Sequence, residues 1–164
     1  MTERVARMLI DSGWNVIPEL SFNHFGERGI IDLVAWHPRR TLLVVELKTE
    51  LVDVNELLGV MDRRMRLVAA MVRDRGWMPE RIGGWIVLAD SRTNRRHVGA
   101  HRTLLRSAFP ADGRQVAGWA ADPDSAQRAL WFLTDDAASG LGRGLAPTKR
   151  VARRRLSSAR PETG

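Results

Sequence analysis

The chain contains no cysteine, which excludes a disulfide framework, a thiolate zinc site and a cysteine nucleophile. It has no apolar run of about 18 residues, the length that a membrane-spanning helix requires. No charged-then-apolar leader opens it at Met1. Cytoplasmic residence with no membrane partner is therefore the expectation. Lysine is almost missing as well. Of 26 basic residues only Lys48 and Lys149 are lysines, and all others are arginine. A chain that uses arginine nearly everywhere, yet keeps a lysine inside an apolar run, needs a compact amine where a guanidinium would not serve.

What is present fits one globular domain. With 164 residues, 44% of them apolar and 27% charged, the chain can bury a real core and is short for two domains. The net charge of +7 is unevenly spread. From Ala137 to Gly164 there are seven basic residues against the single acid Glu162, so this segment carries +6 and residues 1–136 only +1. Residues 1–136 read as the folded domain and 137–164 as a basic tail too poor in apolar side chains to fold alone. Such a tail either tethers nucleic acid or is simply solvated.

Periodicity gives the order α-β-β-β-α-β-α-β, a mixed α/β domain (an α+β mixed sheet). A helix is expected over 2–12 with Thr2 as cap, and a strand over 14–17. Residues 21–29, with Gly26 and Gly29, suit a loop. Two apolar runs, 30–36 and 41–48, read as strands joined by the turn at Pro38, Arg39 and Arg40. The longest helix spans 55–75, capped by Asp53 or Asn55, with Gly76 just past its end. Further elements are a strand at 85–88, a basic loop over 91–96, a short helix over 100–109, a turn at 110–113 and a last strand at 131–133.

The chemistry is concentrated in the two apolar runs. Asp32 lies in the first and Glu46-Leu47-Lys48 in the second, fourteen residues on. Charges this deep in β-branched sequence are costly unless they are paired or ligate something. If Pro38 to Arg40 form a three-residue hairpin loop, Asp32 lies directly across from Glu46, with β-carbons about 4.5–5.5 Å apart, so one cation could touch both carboxylates; a loop of another length slips this register by one unless a bulge restores it. Alternation sends Val44, Glu46 and Lys48 to one face of their strand. Oxygen ligands of this kind suit Mg²⁺ or Mn²⁺.

The succession of helix, strand, Gly26-Glu27-Arg28-Gly29-Ile30-Ile31-Asp32, hairpin, Val45-Glu46-Leu47-Lys48-Thr49 and helix resembles the PD-(D/E)XK nuclease superfamily. The local likeness is to its small branch of Holliday-junction-resolvase-like proteins. The resemblance covers roughly residues 3 to 90. It implies a restriction-endonuclease-like core, a mixed sheet flanked by helices, and Mg²⁺- or Mn²⁺-dependent hydrolysis of DNA phosphodiesters. Carried across, Asp32 and Glu46 are the metal ligands, and Lys48 orients or activates water or stabilises charge on the phosphate. Glu3 matches the place of a further acid in the first helix, and Glu27, which precedes the Asp32 strand, would support a metal ligand or serve as an alternative one. Arg63 and Arg64 match a position on the following helix that faces phosphate. Where the family commonly has proline before the aspartate, this chain has Ile31.

Other readings accompany these. The trio could be a structural salt bridge, Glu3 a helix-start acid and Glu27 a solvated loop charge. His97 and His101 are four residues apart but lack the intervening glutamate of a zinc helix, and read as surface. Arg92, Arg95 and Arg96 either bind backbone phosphate or are solvated. Trp77 is a candidate exposed contact. The competing function retains the fold without catalysis: a DNA-binding module of a regulator or defence system, as a homodimer or with a helix-turn-helix partner.

Overall fold

Apolar alternation builds one five-stranded sheet in the order β1-β2-β3-β4-β5, with β1 at Asn15–His24, β2 at Glu27–His37, β3 at Thr41–Lys48, β4 at Arg81–Ala89 and β5 at Arg128–Leu133. The computed structural model describes residues 1–24 and 26–134. The expected tail at 137–164 lies outside them. β1/β2 and β2/β3 are antiparallel pairs, whereas β3/β4 and β4/β5 are parallel pairs. The sheet is therefore mixed. Among the described residues no helix is long and apolar enough to cross a membrane.

Helices cover both faces. β3 shows why, because Thr41 to Glu46 are all buried, the pattern of a central strand packed on two sides. On one side, Val34, Leu42, Val44, Ile86 and Leu88 pack against helix α2 (Val54–Met71) through Leu57, Met61, Met65 and Val68. On the other, Leu33, Ala35, Leu43, Val45, Trp85 and Val87 meet α1 (Thr2–Asp11) through Val5 and Leu9, and α5 (Gly113–Ala121) through Val116 and Trp119. Asp53 caps α2, accepting from the amides of Asn55 and Glu56 at 2.8 and 3.0 Å. A 3-10 turn at Arg73–Arg75 follows, and Gly76 ends it in the left-handed region at φ 72°.

Close approach of α2 to the sheet rests on Gly84, where a β-carbon would lie 2.6 Å from Met65 Sδ. The next residue along α2 toward its start is Arg64, so this contact fixes how far the guanidinium reaches over the sheet.

Several elements differ from the sequence expectation. The segment 21–29 is not a loop: β1 and β2 continue as one long hairpin whose last pair is His24 with Glu27. Glycine punctuation and polar alternation at a solvated hairpin end look alike in sequence. Residues 91–96 are not a loop but open helix α3 (Arg92–Ala100), because the Ser91 hydroxyl caps it by accepting from Asn94 N at 3.1 Å. The helix expected over 100–109 begins at Arg102 instead (α4, Arg102–Ala108), and α5 was not anticipated. α5 starts with a capping box between Asp112 and Gln115. Met1, rather than Thr2, occupies the cap position of α1 and makes no side-chain cap bond. Trp77 is half-buried and stacked on Trp36, with ring centroids 5.9 Å apart.

Candidate functional site

The β2/β3 ladder carries the expected register. Leu33 pairs with Val45, Val34 with Val44 and His37 with Thr41, which projects Asp32 onto Glu46. Regular pairing stops at Leu33 and Val45, one step short of the two acids. There the Asp32 carboxylate takes over from the backbone, its Oδ2 accepting the Leu47 amide at 2.7 Å. Strand alternation also slips at this point. Ile31 packs in the same layer as Val34, whereas Leu33 packs in the opposite layer. Glu19, between the residues paired with Leu33 and Ile31, has φ 51°, uncommon for a non-glycine residue. Local breaks of this kind re-aim a side chain at a sheet margin.

Glu46 points to the α2 side of the sheet and is only 1% exposed. Such a carboxylate needs counter-charge, and it has two sources. Lys48 Nζ lies 2.8 Å from Oε1, and the Arg64 guanidinium pairs with Oε2. Lys48 is 42% exposed, so its amine bridges the buried acid and solvent. Burial lowers the pKa of the Arg64 guanidinium, while the negative charge of Asp32 acts on it in the opposite sense.

Two hollows adjoin these groups and share Val60 as a wall. One, of about 210 Å³, is lined by Glu46, Lys48, Glu50, Val52, Asp53 and Glu56 among others. The other, of about 80 Å³, is lined by Arg28, Arg63 and Arg64 together with Phe22, Gly29 and Val60. Three arginines stand around this small, mostly apolar opening, and two of them are already paired, Arg63 with Glu27 and Arg64 with Glu46. Arg28 was quoted in the sequence motif without a role.

The remaining residues of interest are dispersed. Glu3 is exposed on α1 and is not joined to the Asp32–Glu46 group by any described hydrogen bond or ion pair. Glu27 lies 3.5 Å from Arg63 Nε, and its Oε2 is buried without a hydrogen bond. Arg95 grips Asp90 through two bonds of 2.6 and 2.8 Å and covers the Phe132 ring at 4.6 Å. Arg92 and Arg96 are exposed on α3. Sequence reasoning missed Asn94, which is fully buried. Its Oδ1 accepts from Leu51 N at 2.9 Å, while Nδ2 donates to Thr49 O and Ala89 O at 3.0 and 2.8 Å. His97 adds a 2.6 Å contact from Nδ1 to Leu51 O, so it is tied inward rather than lying free on the surface. Together they fix the segment that follows Lys48 and lines the larger hollow. The only forewarning in the sequence was Ser91 preceding a polar run.

Asp32 and Glu46 suit a hard divalent cation in kind, both being carboxylates. Among the described residues no group of three His, Asp or Glu side chains is placed to hold a metal. A cation here would take these two carboxylates and complete its shell with water and phosphate, which is the habit of Mg²⁺. The chain matches no known family model and no curated protein sequence.

Proposed function

We propose that this domain is a metal-dependent nuclease of restriction-endonuclease-like fold, acting on DNA phosphodiesters with Mg²⁺ or Mn²⁺. The observation that carries the reading is that the β2/β3 register projects Asp32 onto the buried Glu46, which both Lys48 and Arg64 pair with. Two carboxylates at one strand end can share a divalent ion. The run of α1, β1, β2, β3 and α2 in one mixed sheet supports the proposed core.

In this reading Asp32 and Glu46 hold the metal. A bound ion of this type polarises a phosphoryl oxygen and acidifies water. Lys48 stands half in solvent beside Glu46, where an incoming phosphate can meet its amine. Its positive charge orients the attacking water or offsets charge that develops on the phosphate. Arg28 and Arg63, around the smaller hollow, supply backbone contacts that are independent of base sequence.

The test is cleavage of a panel of labelled DNA structures with Mg²⁺, Mn²⁺ or EDTA, beside Asp32→Ala and Lys48→Ala. The expected result is metal-dependent cleavage, lowered at least a hundred-fold by either substitution. Cleavage indifferent to both would overturn the site. A second reading draws on the same Arg64–Glu46 pair, which already neutralises the acid: a nuclease fold that binds DNA without cutting it. DNA binding with no cleavage under any metal would favour that module.

A further inference from the structure

Glu46 and Asp32 contribute two negative charges, and Lys48 and Arg64 two positive ones, so the group is neutral before any metal arrives. Lys48 reaches the acid from solvent, but Arg64 reaches it from α2 with its side chain only 14% exposed. A divalent ion on the same carboxylate oxygens would stand within a few ångströms of that guanidinium. Like charges that close repel strongly even at an effective dielectric constant of about 20. Arg64 also borders the hollow of about 80 Å³ that Arg28 and Arg63 line. A guanidinium leaving Glu46 therefore remains at the rim of that hollow, beside Arg28 and Arg63, where the three together could meet one anion.

Resting on the metal-site reading above, we infer that Arg64 is a resident counter-ion for Glu46 that a divalent metal must displace, and that the released guanidinium becomes a phosphate ligand. The arrangement makes the two binding events interdependent. Metal alone binds weakly, because it must evict Arg64. Metal with a nucleic-acid backbone binds better, because the evicted arginine finds a partner in the hollow beside Arg28 and Arg63. In the absence of metal, Arg64 keeps the buried acid paired and the strand end folded. Arg64 thus acts as a positioning residue in the metal-free protein and as a phosphate contact in the loaded one.

Calorimetric titration of Mn²⁺ into the full chain and into Arg64→Gln tests this, with and without a DNA duplex carrying uncleavable phosphorothioate linkages. Arg64→Gln is expected to bind Mn²⁺ at least roughly ten-fold more tightly than the unmodified protein when DNA is absent. It should also lose the tightening that DNA confers on the unmodified protein. Equal Mn²⁺ affinity in the two proteins would overturn the displacement while leaving the metal site intact. Absence of Mn²⁺ binding in both would overturn the metal-site reading, and this inference with it. Arg64→Gln leaves Glu46 with one cation and risks misfolding, so a second measurement uses the unmodified protein. In a ¹⁵N-labelled sample, the Arg64 Nε–H resonance, assigned with Arg64→Lys, should shift and exchange faster with solvent as Mg²⁺ saturates. Mg²⁺ saturation without change in that resonance would overturn the proposal.

Discussion

The Asp32 carboxylate replaces a backbone acceptor: its Oδ2 receives the Leu47 amide at 2.7 Å where the β2/β3 ladder ends. One oxygen of the acid is thereby committed to the fold, which separates two roles that alanine would remove together. Asp32→Asn retains an oxygen for the amide and removes the charge. It should unfold within about 1 kcal/mol of the parent while losing the proposed metal binding. Asp32→Ala leaves the amide without its partner and should cost about 1–3 kcal/mol as well. Denaturant unfolding of both variants, beside Mn²⁺ titration, checks the division. Equal stability of the two would show that the bond contributes nothing.

Asn94 ties Thr49, Leu51 and Ala89 to the start of α3 through three bonds from one fully buried side chain. Asn94→Ala should cost about 3 kcal/mol, since it orphans three backbone groups. Asn94→Asp is the sharper variant. It preserves the acceptor for Leu51 N but turns the donor toward Thr49 O and Ala89 O into another acceptor. Its stability should fall at least as far as that of Asn94→Ala. Hydrogen exchange at the Leu51 amide should rise in the alanine variant more than in the aspartate one.

The sequence made some of these relationships legible and hid others for physical reasons. Register over β2 and β3 was readable only on the condition of a three-residue turn at Pro38 to Arg40, since strands apolar on both faces carry little alternation to forbid a slip of one. The shared face of Val44, Glu46 and Lys48 followed from alternation alone. The far end of the β1/β2 hairpin was not readable, since its polar residues alternate without an apolar face to mark them. Arg63 and Arg64 are adjacent, but helical spacing puts Arg64 beside the stripe of Leu57, Met61 and Val68 and Arg63 off it. Which acid each meets was not legible, because Glu46 and Glu27 come from different strands. Asn94 could not be told from any other polar residue of α3, because its partners come from two other segments.

His37 closes the β2/β3 hairpin, its Nδ1 accepting from Arg39 N at 3.2 Å, with the Trp14 ring 5.1 Å away. Burial lowers its pKa below the usual 6.5, the nearby Arg39 adds to the lowering, and Asp122 opposes it. The folded-state pKa is thus below the unfolded one. The stabilising contribution is present above pH about 6.5 and is lost as pH falls through the depressed folded value, because the unfolded chain then binds the extra proton. Thermal melts from pH 7.5 to 5 should show this decline. Replacing His37 with Asn, which can still accept from Arg39 N, should flatten that part of the profile. An unchanged slope in His37→Asn would assign the decline to other groups.

The three arginines of α3 should separate by function. Arg95 is held by both oxygens of Asp90 and by the Phe132 ring, and its side-chain hydrogen bond keeps the Asp90 carboxyl below the usual carboxylate range. That contribution is present above the ordinary aspartate pKa and disappears as pH falls through the lowered one. Arg95→Ala should therefore reduce thermal stability at neutral pH, with a smaller deficit in acid, and leave the salt dependence of DNA binding unchanged. Arg92 and Arg96 are exposed on the same helix. Replacing both with Ala should leave stability near that of the parent. If each meets a phosphate, the slope of log affinity against log salt should become shallower by roughly 0.9 for each arginine removed. A slope altered by Arg95→Ala but not by the double substitution would reverse the assignment, making the Asp90 pair a resting state and Arg95 the contact to DNA.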